Sequence, residues 1–149
     1  MSYAKDLLTG LAQMLADSSI AVYRPAGTYA AGERAVVFGG WPQAPDQCIV
    51  LNYTPLTLGV AVPMERGILE CHVRGKPGDV WDATDTAAAV RDLLQGLTGK
   101  PLGTANIVQV LHQNSVPLVQ DANKRFEHVE LFTIDIDTPG TPVRPSAGY

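Results

Sequence analysis

One stretch of the chain, residues 68–97, most constrains the fold because its pattern changes from that of a strand to that of a helix. From Ile68 to Arg74 apolar and polar side chains alternate, which is typical of a strand with one buried face. After Asp79 apolar residues recur every three or four positions, at Ala83, Ala87, Val90, Leu94 and Leu97. This succession predicts an amphipathic helix that packs on a sheet.

The rest of the chain extends this prediction to an α+β domain over residues 1–137. The spacing of the leucines between Tyr3 and Leu15 predicts a first helix. Short apolar runs predict strands at 20–23, 35–38, 48–53, 106–112 and 128–137. We expect two helices on a mainly antiparallel sheet of four to six strands, with Gly99 and Pro101 closing the second helix. Residues 138–149 are rich in Pro and Gly, and this composition predicts an extended tail.

Charge is scarce in this chain. Charged residues make up 17% of it and hydrophobic residues 46%, against a usual charged share of about 25%. The net charge of -4 excludes a strongly basic nucleic-acid binder. The apolar runs are too short to span a membrane, and the acidic start is unlike a signal peptide. Cys48 and Cys71 lie in predicted strands, so we expect buried free thiols in a reducing cytosol, although a bridge between them stays open.

The sequence predicts no catalytic, cofactor or metal site. Gly99-Lys100 lacks the hydroxyl residue that follows the lysine of a P-loop, and no nucleophile elbow is present. Cys71 and His72 are neighbours on a strand, so their side chains leave opposite faces and do not readily share one metal. Asp135 and Asp137 share a strand face, which is a weak carboxylate pair for metal or acid–base chemistry.

Several apolar residues stand where a lone domain usually shows polar ones, which indicates contacts with other subunits. They lie in a Gly/Pro-rich loop, in the apolar segment 54–64, on the second face of the last strand and in the tail. Local explanations compete: packing of the loop tryptophan under its own loop, a hairpin folded onto the domain, and a disordered tail. The candidates are Trp41, Leu56, Leu58, Val60, Val62, Met64, Phe132, Ile134, Ile136 and Tyr149.

The order of these elements resembles that of bacteriophage minor capsid proteins of the tail-terminator type, over roughly residues 3–137. The resemblance rests on a leading helix, on Pro45-Asp46-x-Cys48-Ile49-Val50-Leu51-x-Tyr53 and on a strand that ends Val73-Arg74-Gly75. The helix with the ending Leu93-Leu94-x-Gly96 and the two closing strands match the same layout. The motifs rest on order and spacing rather than on an invariant site.

This resemblance implies a structural protein of the virion, assembled in the host cytoplasm, with no catalysis and no cofactor. Such proteins form a ring, usually hexameric, that caps the tail tube and joins it to the head connector. DNA passes through the lumen without specific binding. Segment 54–64 would then lie across an adjacent subunit. Charged contacts at subunit or tube surfaces would be made by Arg74, Arg125, Glu127 and Glu130. A head-completion or stopper protein of the connector and a small metal-dependent intracellular enzyme are the alternatives.

Overall fold

A computed structural model describes residues 3–58 and 64–137 as two helices and a six-stranded sheet. The elements are α1 (Tyr3–Asp17), β1 (Ala35–Phe38), β2 (Cys48–Leu58), β3 (Met64–Pro77), α2 (Val80–Leu94), β4 (Thr98–Leu102), β5 (Ala105–Leu118) and β6 (Arg125–Asp137). The strand order is β1-β2-β3-β6-β5-β4. The β1–β2 pair is parallel and the other pairs are antiparallel. The predicted α+β class is confirmed, with a mixed sheet.

Both helices pack on the same face of the sheet, which we name the covered face. Helix α1 buries Leu7, Leu11 and Leu15, and α2 buries the stripe that includes Ala87, Val90 and Leu94. These side chains meet every second residue of the central strands in one core. The core strand residues include Ile49, Leu51, Leu69, Cys71, Val73, Phe132, Ile134 and Ile136. The opposite side of the sheet, which neither helix covers, is named the open face.

Helix α2 begins as the sequence predicts but ends earlier. The Asp79 carboxylate accepts hydrogen bonds from the backbone N–H groups of Trp81 and Asp82, both at 3.1 Å. The helix ends at Leu94, and Gly96 follows with a φ of 79°, a left-handed conformation that suits glycine. The prediction that Gly99 and Pro101 close the helix is wrong, because both lie in β4, which pairs with β5.

The strands also differ in extent from their predicted lengths. The predicted strand 20–23 is reduced to a single bridge between Val22 and Ala35. Strands β5 and β6 both extend beyond their predicted limits, and they pair as far as Leu118 opposite Glu127. The sheet therefore has two distant ends. The end of β2 at Leu58 and the start of β3 at Met64 lie at one end, whereas the β3–α2 junction and the β5–β6 turn lie at the other.

Candidate interaction surfaces

The apolar residues of β6 are divided between the two faces of the sheet. Phe132, Ile134 and Ile136 are fully buried on the covered face, beneath the two helices. Their predicted role as a surface for a partner is wrong, because the chain's own helices already cover them. Leu131 and Thr133 point to the open face and stay partly exposed. The pattern of two apolar faces is real, but one of them is core.

Glu130 belongs to the same buried side of β6. Its carboxylate is fully buried, and it accepts a hydrogen bond from Arg91 Nη1 at 2.9 Å. The other carboxylate oxygen lies 3.0 Å from His112 Nε2. The predicted role of Glu130 at a subunit surface is therefore wrong. Its charge instead ties α2 and β5 to β6, and a buried charge is tolerated only with such partners.

Arg74 is buried as well, on the open face beneath loop 39–47. Its guanidinium donates hydrogen bonds to the backbone carbonyls of Pro42, Pro45 and Asp46 at 2.7–2.9 Å. Burial lowers the pKa of this guanidinium, and Trp41 lies over it at 5.0 Å. The predicted surface contact at Arg74 is wrong. The residue instead fixes the loop that carries Trp41.

Arg125 supports the same loop from β6. It donates to Asp121 at 2.8 Å, to the backbone carbonyl of Gln43 at 3.0 Å and to Asp46 at 3.2 Å. Only 6% of this residue is exposed, so its predicted role in contacts between subunits is wrong too. Glu127 is half-buried opposite Arg74, and burial, then the charge of Asp121, raises its pKa. Its role as a contact stays a prediction.

Trp41 combines local packing with exposure. Its ring packs edge-on against His72, with ring centres 6.0 Å apart, and over Arg74. It nevertheless keeps 36% of its surface exposed. Packing of Trp41 under its own loop and a role as a contact both stay predictions.

Residues 54–64, which we name the arm, carry no charged side chain. Leu56 is 57% exposed and Met64 is half-buried. The side chain of Leu58 lies outside the described residues, as do Val60, Val62 and Tyr149 with the whole tail 138–149. The contact roles of these residues stay predictions.

The base of the arm is a buried polar cluster. The Glu65 carboxylate is fully buried and accepts hydrogen bonds from the hydroxyls of Tyr3 and Tyr53. Burial, then the hydrogen bond with Glu65, raises the pKa of Tyr53. The Tyr53 ring fills the space beside Gly67, where a Cβ would lie 2.5 Å from it. Helix α1 and strands β2 and β3 are thus tied together where the arm begins.

Four exposed apolar residues lie at the opposite end of the sheet and were not predicted. Val119 is 86% exposed and Trp81 69%, with Val80 and Leu118 at about 40%. They do not share one face: Leu118 pairs with Glu127 and points to the open face, whereas Val80 and Trp81 begin the helix that lies on the covered face. One signal in the sequence does point to Trp81, which lies outside the apolar stripe of its own helix and is a large apolar residue without a core position.

The open face is less apolar than the core. Ile68 and Leu131 are partly exposed there, and Leu111 is 38% exposed. Polar partners lie between them: Asp135 accepts hydrogen bonds from Arg66 at 2.7 and 3.0 Å and from Gln109 at 2.8 Å. The hydrogen bond from Arg66 is the main reason that the pKa of Asp135 is lowered.

The candidate metal ligands of the described residues are dispersed. Within 3–58 and 64–137, no three His, Cys, Asp or Glu side chains are grouped so that they hold a metal ion. Cys48 and Cys71 are both buried and free, as predicted. Burial raises the pKa of the Cys48 thiol to about 11, which keeps it protonated at neutral pH. Neither described helix has the length and apolar character needed to cross a membrane.

Comparison with known proteins identifies a structural neighbour. No family model matches the chain, and no curated protein matches it by sequence. The fold matches a chain from the virion of a native gene transfer agent (GTA) particle with a TM-score of 0.65 and 15% sequence identity. The match covers 91% of this chain and 97% of the other. The two chains share a fold along nearly their whole length.

Proposed function

We propose that the chain is a structural protein of a phage-like virion and assembles with other virion proteins. The observation that carries this proposal is the fold match to a chain of a gene transfer agent virion, which spans nearly all of both chains.

The more specific proposal is a tail terminator, a ring that caps the tail tube and joins it to the head connector. The order of elements in the sequence supports this role, and so do exposed apolar side chains at both ends of the sheet, Leu56 at one end and Trp81 and Val119 at the other. A surface that meets a different surface on the next copy gives a heterologous contact, which closes into a ring when the rotation allows it. The net charge of -4 suits a lumen through which DNA passes without being held.

Electron microscopy of the purified full chain, alone and mixed with tail tubes, tests this function. We expect rings in the protein alone and rings at the ends of tubes in the mixture. Light scattering gives the mass of the assembly relative to the subunit mass of 15.9 kDa. A strict monomer that never binds tube ends would contradict the proposal. Binding to portal–connector complexes but not to tubes would assign the chain to the stopper position instead.

A further inference from the structure

We propose that a cavity beside Asp137, on the open face of the sheet, binds the side chain of an arginine from a partner protein. The cavity lies where β4, the start of β5 and the end of β6 run side by side, and its volume is about 370 Å³. Ligand pockets in proteins range from roughly 300 to 1,000 Å³, so this cavity leaves room for one long side chain.

Asp137 is the exception among the buried carboxylates. Four carboxylate side chains are buried in the part of the chain that the structure describes. In three of them both oxygens have a hydrogen-bonding partner: Glu65, Glu130 and Asp135. Asp137 is only 7% exposed, and its Oδ1 atom is buried without a hydrogen-bond partner. A buried carboxylate is costly without a partner, so this atom marks a place for one.

The register of the sheet sets the surroundings of this carboxylate. Pro101 pairs with Asn106, and Asn106 pairs with Asp137. Asp137 follows the core residue Ile136, so its side chain lies on the open face, and side chains directly opposite each other share a face. Asn106 is exposed and adds an amide oxygen as a second acceptor. The cavity is completed by Gly99, Ile107 and Val108.

This lining suits an arginine better than a metal ion. No three His, Cys, Asp or Glu side chains of the described residues are grouped so that they hold a metal. A guanidinium carries five N–H donors in one plane and binds a carboxylate through two parallel hydrogen bonds. It is also less strongly hydrated than the ammonium of lysine, which suits a partly apolar cavity. The aliphatic part of the arginine would pack against Pro101 and Val108.

The described part of the chain has no arginine to spare for this cavity. Each of its six arginines is already paired with a carboxylate or with backbone carbonyls: Arg24, Arg34, Arg66, Arg74, Arg91 and Arg125. Arg66 lies on the neighbouring strand β3, but it pairs with Asp135 and donates two hydrogen bonds to that carboxylate. The arginine therefore comes from another protein.

Titration of the full chain with Nα-acetylarginine methylamide tests this site. The methyl NMR signals of Val108 report binding, because such signals remain measurable in a large assembly, and we expect them to shift. Nα-acetylcitrulline methylamide has nearly the same shape but no charge. It should bind more weakly by about tenfold or more, since a hydrogen bond to a charged group contributes more than one between neutral groups. Equal binding of the two compounds would overturn the inference.

Asp137→Asn separates a binding role from a structural one. It keeps the shape of the side chain and removes the charge, so binding of the arginine compound should weaken by about tenfold or more. The urea midpoint should stay the same or rise, because an unpartnered buried carboxylate is lost. A marked fall in the midpoint would show that Asp137 already has a partner within the fold, and would overturn the inference.

Asp92→Asn is the matched control, since it makes the same change in net charge at an exposed position of α2. We expect it to bind the arginine compound as the unchanged chain does. Binding that is unchanged in Asp137→Asn, or weakened equally in both variants, would contradict the assigned site.

Arg144→Ala tests the remaining arginine of the chain, which belongs to the tail 138–149. We expect this variant to bind the arginine compound as the unchanged chain does. Binding that is several-fold tighter would show that Arg144 competes for the cavity, and would overturn the assignment to a partner protein. None of these measurements requires a ring, so their outcome is independent of the proposed function.

Discussion

On the covered face of the sheet the side chains of Leu69, Phe132 and Ile134 are fully buried, whereas on the open face Ile68, Leu131 and Leu111 keep part of their surface exposed. The same three strands, β3, β5 and β6, supply both faces. What differs is the layer above them, because α1 and α2 lie on one side only. This difference shows that an apolar pattern in the sequence indicates a buried face of a strand. It does not show whether the chain's own helices or a partner protein cover that face.

Neighbouring residues of β6 give the strongest test of this difference. Phe132→Ala should lower the free energy of unfolding by about 3–5 kcal/mol, because it removes a ring from the close-packed core. Thr133→Ala, on the open face one residue away, should change it by no more than about 0.5 kcal/mol. Urea denaturation measures both. Equal losses would show that the open face is packed as tightly as the core.

Periodic elements were the most predictable part of this molecule. Helix α2 follows from its stripe of Ala87, Val90 and Leu94, and the alternation of β3 follows from its sequence. Strand β4 was not predictable, because Gly99 and Pro101 are poor strand residues and only pairing with β5 orders them. Burial by the chain's own helices and burial by a neighbour select the same residue types. For this reason the sequence did not distinguish Phe132 in the core from Leu56 at the surface.

The charged residues were harder to predict than the apolar ones. Arg74, Arg125 and Glu130 are charged side chains at strand positions, which on average are exposed. Their burial depends on partners that are far away in the sequence, such as the carbonyl of Pro42 and the side chain of Arg91. No spacing rule connects these positions.

Replacement of Arg74 tests whether this buried arginine holds loop 39–47 on the open face. Arg74→Ala should lower the free energy of unfolding by about 2–3 kcal/mol, because it leaves the carbonyls of Pro42, Pro45 and Asp46 without their donor, and the carbonyl of Pro45 is buried. In a Trp81→Phe background Trp41 is the remaining tryptophan, and its emission should shift to the red as loop 39–47 loosens. Arg24→Ala is the control, since this arginine is exposed and paired with Glu33. Unchanged Trp41 emission in the Arg74 variant would contradict the role given to the arginine.

Glu130 and Glu70 compare buried and exposed carboxylates on opposite faces. Glu130→Gln should cost about 1–2 kcal/mol, because it weakens hydrogen bonds to Arg91 and His112 in a fully buried site. Glu70, beside His72 on the open face, has a side chain that is 37% exposed, so Glu70→Gln should cost less than about 0.5 kcal/mol. Thermal or urea unfolding measures both variants. A larger loss for Glu70→Gln would mean that the open face carries the more important ion pair.

The smallest effect concerns the Arg66–Asp135 pair of the open face, and it depends on pH. The pKa of Asp135 is held below its ordinary value of 3.8, chiefly by the hydrogen bond from Arg66. A carboxylate with a lowered pKa in the folded state stabilises the fold above its ordinary pKa, and this contribution is lost as the pH falls through the folded value. Asp135→Asn should therefore cost roughly 0.5–1 kcal/mol at pH 7, where solvent screens the half-exposed Arg66.

The difference between Asp135→Asn and the unchanged chain should shrink as the pH falls below about 4, because asparagine does not titrate. Urea denaturation at pH 7, 5 and 3 measures it. The difference should be the same at pH 7 and pH 5, since the carboxylate is ionised at both. A difference that persists undiminished at pH 3 would mean that the packing of Asp135, rather than its charge, stabilises the open face.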